Sequence, residues 1–168
     1  HDKGFGISID SSDQIYVIGY TEGEFDGKSN FGRSDIILVK YNVDGVRMWT
    51  QMIGTHLDDI GYSVTVDSLD NVYVTGSTYG EFYGEKNKGA RDIILAIFDS
   101  DGVKKWSNQI GTFSNDNALQ VISDKSDNIY LTGLTEGGFD NNNNFAVNCI
   151  YKPCTDIFLM KFSSKNTK

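Results

Sequence analysis

Six aspartates recur at fixed places in this 168-residue chain and are its clearest candidates for chemistry. Asp2, Asp59 and Asp116 each precede a short alternating run, and Asp35, Asp92 and Asp156 each open an apolar run. If both sets meet at one end of a β scaffold, they form a ring of carboxylates. Hard cations such as calcium want clustered oxygens of this kind. The competing reading is that each carboxylate caps loop amides of its own or the next unit. Recurrence in every unit favours capping, because a site usually draws on one special unit. The stretches "DSSD", "DSLD", "DKSD" and "DSDG" superficially resemble a calcium loop. A full EF-hand loop, however, needs about twelve residues and a terminal Glu. Here β-type runs follow at once, so these stretches read as hairpin turns.

Other chemistry is sparse. Cys149 and Cys154 flank "IYKP" in one polar stretch beside the chain's single proline. They read as a local disulfide stapling an insertion that has no core of its own, with free thiols as the alternative. Zinc needs four ligands and a redox motif needs C-x-x-C, and neither is present. A disulfide would place the chain in an oxidising compartment. The two histidines are His1 and His56, and no Ser-His-Asp or Cys-His set can be assembled around them. Nothing singles out a glycosidase pair among 23 acids. No catalytic residue and no organic cofactor are expected. The Gly-rich stretches 22–34, 79–91 and 136–155 carry aromatics among amides and carboxylates, a mixture that suits sugar or protein contacts. Phe25, Phe82 and Phe139 recur and so are expected to plug the scaffold. Tyr83, and Phe145 and Tyr151 in the insertion, do not recur and are the better candidates for contacting a ligand or partner.

These residues are set by a repeat. "DSSDQIYVIGYTEGEF", "DSLDNVYVTGSTYGEF" and "DKSDNIYLTGLTEGGF" place Tyr16, Tyr73 and Tyr130 at intervals of 57 residues. A period of that length marks a repeat architecture. Each unit holds an alternating run, an Asp-containing turn, a β-rich run, a Gly-rich loop and a third apolar run. The first two add "VDGVRMW" and "SDGVKKW", where a DG pair signals a hairpin into a strand beginning at Trp49 or Trp106. No sustained 3.6-residue period predicts a helix. Four short antiparallel strands per unit make an all-β propeller blade. The blades span about 4–58, 61–115 and 118–162, and the third has a loop insertion at about 141–155 and no outer strand. Gly19, Gly76 and Gly133 lie inside the second strands, where a side chain is expected to strike the neighbouring blade.

The stretch "DDIGYSVTVDSLDNVYVTGSTYGEF" resembles the bacterial SBBP β-propeller repeat family. Asp59, Val66, Asp67, Asn71, Tyr73, Val74, Thr75, Gly76 and Thr78 carry the likeness. Asp13, Asp70 and Asp127 depart from it, standing where that family usually has Gly. The resemblance implies an exported, periplasmic or cell-surface propeller and implies no single activity. A net charge of −8 argues against nucleic acid or an anionic membrane surface as partner. No apolar run reaches the length of a membrane span. The expected function is a non-catalytic extracellular scaffold presenting loops to a protein or glycan. The alternatives are a structural subunit of a surface assembly and a fragment of a propeller enzyme whose catalytic residues lie elsewhere. Three blades cannot close a ring that takes 4–8. They would belong to a longer propeller, or two chains would complete one.

Overall fold

The computed structural model describes residues 1–139 and 155–163. Among these it is all-β, with three antiparallel sheets and no helix. The first sheet runs β1 (Asp2–Ile9), β2 (Ile15–Thr21), β3 (Asp35–Tyr41) and β4 (Arg47–Ile53). The second runs β5 (Asp59–Val66), β6 (Val72–Thr78), β7 (Asp92–Phe98) and β8 (Lys104–Ile110). The third holds β9 (Asp116–Ser123), β10 (Ile129–Thr135) and β11 (Asp156–Phe162), with β10 in the middle. The outer strands β4 and β8 begin two residues before Trp49 and Trp106, because the register slips by one residue beside each turn. That slip is a β-bulge, which adds a residue to one strand.

One turn device serves five hairpins. The Asp10 carboxylate accepts the amides of Ser12 and Gln14 at 2.9 Å each, and the Tyr16 hydroxyl at 3.0 Å. Asp67 and Asp124 repeat the arrangement with Tyr73 and Tyr130. Asn42 and Asp99 hold the DG turns in the same way. Each turn needs one left-handed residue. Gly45 and Gly102 supply it at φ 76° and 80°, and Asp13, Asp70 and Asp127 supply it at 59°, 59° and 58°. Gly takes this conformation freely, whereas a residue with a Cβ is strained there.

The glycines inside the second strands answer to a different neighbour than expected. A Cβ on Gly19, Gly76 or Gly133 would collide with the backbone of the first strand of the same sheet, at Lys3, Ile60 or Asn117 respectively. The nearest atoms all belong to the same sheet. The cause is a bulge in each first strand, where the register jumps between Gly4 and Gly6, between Gly61 and Ser63, and beside Ala118. The bulge presses one backbone onto the other.

The core lies between sheets. Tyr16, Ile18, Ile36, Leu38 and Ile53 of the first sheet pack on Val64, Val72, Val74, Phe82 and Ile94 of the second. Tyr73, Ile93, Leu95 and Ile97 on the second sheet's other face pack on Ala118, Val121, Ile129 and Leu131 of the third. β7 is buried along its whole length, as expected of a strand covered on both faces.

Candidate functional site

The strand registers bring the long loops and the β4–β5 and β8–β9 connections to one end of the stack. Asp2 opposes Thr21 and Thr21 opposes Asp35, so both sets of repeated aspartates open strands at that end. They cluster in pairs across the joints between sheets. At the first joint Asp35 of β3 faces Asp59 of β5. A Cβ on Gly54 would collide with Asp35 Oδ1 and stand 3.0 Å from Asp59 Oδ2, so the two oxygens share one small space. Asp35 takes the amides of Phe31 and Gly32 on Oδ2, while its buried Oδ1 has no partner among the described residues. Asp59 takes the amide and hydroxyl of Thr55. Burial pushes the Asp59 carboxyl up to about 6; hydrogen bonds from Thr78 and Thr55 oppose the rise and the nearby Asp35 charge adds to it. Asp35 is also raised by burial, against the pull of its two amides.

The second joint repeats the first. Asp116 takes the amide and hydroxyl of Thr112 at 2.6 and 2.8 Å and the hydroxyl of Thr135 at 2.5 Å. Burial raises its carboxyl, those hydrogen bonds oppose the rise, and Asp92 adds to it. Asp92 takes the Lys88 amide at 2.7 Å and the Gln109 side chain at 2.9 Å. Among the described residues no group of three or more acids, histidines or cysteines is placed to hold a metal ion. The geometry buries a carboxylate at each joint among the hydrogen-bond donors of the following connection. It also closes the joints, since the amides of Asp59 and Asp116 donate to the carbonyls of Ser34 and Arg91 on the preceding sheet's long loop. Asp2 bonds Thr21 Oγ1 at 2.5 Å, and Asp156 begins the edge strand β11.

Above these acids the loop end carries exposed aromatic and basic side chains that the repeat pattern had not singled out. Phe31 and Phe113 are strongly exposed, and His56 and Tyr79 are also exposed at the same end. The Phe31 loop lies on the His56 backbone, because a Cβ on Gly32 would meet it at 2.5 Å; Gly89 meets Phe113 in the same way. Arg33 pairs with Asp58 at 3.8 Å, and Arg91 stands 4.7 Å over the Tyr79 ring while bonding Asn117 at 3.0 Å. The signal for this group was positional. Phe31 and Tyr79 lie in the long loops, but their unit counterparts are Lys88, Glu22 and Glu136, so repetition did not mark them.

Tyr83 is half exposed and left-handed at φ 51°. Its ring packs on Phe82 at 4.7 Å and lies under Lys104 Nζ at 4.0 Å. One unit earlier Asp26, at φ 54°, pairs with Arg47, so the same loop-to-strand contact exists with different chemistry. Phe82 is buried, Phe139 packs beside the second core against Phe158, and Phe25 is half-buried. Phe145, Cys149, Tyr151 and Cys154 lie outside the described residues.

Residues 49–83 run from the last strand of the first sheet through the first two strands of the second. That segment matches the model of a known repeat. The matching model is that of the SBBP beta-propeller repeat. The SBBP unit therefore straddles a joint, starting in the sheet before the one it mostly builds. The chain is also 23% identical over 174 residues to an uncharacterized WD repeat-containing protein of Acanthamoeba polyphaga mimivirus. That match covers 80% of this chain but only 12% of the relative's length.

Proposed function

We propose that this chain is a non-catalytic propeller scaffold, exported from the cell, that binds a protein partner through the loop end of the stack. The observation that carries the reading is the exposed group Phe31, His56, Tyr79 and Phe113 with Arg33 and Arg91 beside it. Aromatic and arginine side chains are the types that anchor protein interfaces. They sit on loops held by buried joints, which is where a rigid scaffold usually presents contacts. A glycan is the second reading, favoured by the aromatics lying among Asn and Asp side chains. Export rests on the SBBP resemblance; finding Cys149 and Cys154 joined in peptides from the unreduced protein, by mass analysis, would support it.

The test compares proteins captured by the immobilised chain with those captured by Phe31→Ala/Phe113→Ala. Both residues are exposed, so the melting temperature should stay within a few degrees. The reading expects a partner retained by the native chain and lost by the variant, with no glycan competing. Equal capture by both would overturn it. Competition by a simple sugar would favour the glycan.

A further inference from the structure

The two joints give a template for what each end of the stack is built to meet. Ile36 and Leu38 are 0% exposed, as are their counterparts Ile93 and Leu95 one unit later. The third-unit counterparts Ile157 and Leu159 are 85% and 74% exposed on β11. The opposite face behaves in mirror fashion: Val64 and Val121 are 5% and 1% exposed, and their first-unit counterpart Ile7 is 69% exposed. One end of the stack therefore displays the knobs of a joint, and the other end displays the surface that receives them.

A polar clamp locks both joints. The Asp70 carboxylate accepts the Ser11 amide at 3.0 Å and the Ser11 hydroxyl at 2.8 Å. The Asp127 carboxylate accepts the same two groups of Ser68 at 3.0 and 2.9 Å. The pattern leaves one half-clamp at each end. Asp13 is the exposed counterpart of Asp70 and Asp127, and position 125, the counterpart of Ser11 and Ser68, is an exposed lysine. Carboxylate and ammonium thus stand at the two positions that no joint within the chain brings together.

We propose that the β11 face of one copy of this chain docks on the β1 face of a second copy. Lys125 of one copy meets Asp13 of the other, and Ile157 and Leu159 cover Ile7. Two such joints, related by a two-fold axis, bring six blades together, within the 4–8 that propellers use. The ammonium replaces the serine hydroxyl of the internal clamps and adds charge to it. This inference does not depend on the loop-end reading.

Sedimentation and light scattering of the native chain should give twice 18.7 kDa at micromolar concentration. Lys125→Asp and Asp13→Lys should each weaken the dimer by about tenfold or more, since each places like charges in both joints. An equimolar mixture of these two variants should dimerise like the native chain, because 125 then faces an opposite charge at 13 in both joints. Near-native melting of each variant checks that it is folded. A chain that stays monomeric over the whole range overturns the proposal. So does a dimer indifferent to both charges, or one that mixing does not restore.

Discussion

Asp70 shows how one residue links local strain to assembly. Its left-handed backbone is unfavourable by about 1–2 kcal/mol relative to glycine. Its carboxylate recovers part of that by taking two hydrogen bonds from Ser11 on the neighbouring sheet. Asp13 has the same backbone and no such partner among the described residues. Asp13→Gly should therefore stabilise the monomer by about 1 kcal/mol, while Asp70→Gly should be neutral or destabilising, as denaturant midpoints would show. Equal effects at both sites would count against the clamp. The clamp was not legible in the sequence. The departure from Gly was visible at all three turns, but its partner lies 59 residues away on another sheet.

Asp59 makes a prediction about pH. Its carboxyl is near 6 when folded, against an ordinary 3.8, so the folded state holds the proton more tightly. That stabilisation is complete below pH 4 and is lost as pH rises through 6, by up to about 3 kcal/mol. Asp124 works in the opposite direction. Hydrogen bonds from Asn128 and others hold it down at about 2, so its contribution is lost as pH falls below 4. Urea unfolding should then show stability declining between pH 4 and 7, and Asp59→Asn should flatten that decline. A slope unchanged in the variant would place the proton elsewhere.

At the scale of the element, strands and turns were largely readable. Alternating apolar runs, the DG pairs and the Asp turns placed them, because each depends on residues within a few positions of one another. The bulges were not readable, since they exist only when two strands are aligned. They explain the glycine at 19, 76 and 133, where a Cβ would strike the adjacent strand's backbone. Gly76→Ala should cost about 3 kcal/mol or more, because backbone atoms cannot swing aside as a flexible side chain would. A melting temperature within a degree or two of native would mean that the strands can part without losing the sheet. The loop-end aromatics were also hidden, because the three units differ there and repetition carried no information about them.

For the whole molecule, the sheet is not the unit of stability. Both cores lie between sheets, and the SBBP repeat itself begins in one sheet and ends in the next. Each joint also shapes the loop end, because the buried aspartates that close it hold the connections bearing His56 and Phe113. Leu38, Leu95 and Leu159 occupy equivalent positions on successive third strands, so they offer one substitution in three settings. The measurement that tests this account most directly is the unfolding free energy of Leu95→Ala and Leu159→Ala, in dilute monomer. Leu95, sealed in a joint, should lose about 2–5 kcal/mol. Leu159, which faces solvent, should lose less than about 0.5 kcal/mol. Comparable losses at the two sites would contradict it, since each sheet would then be holding itself together.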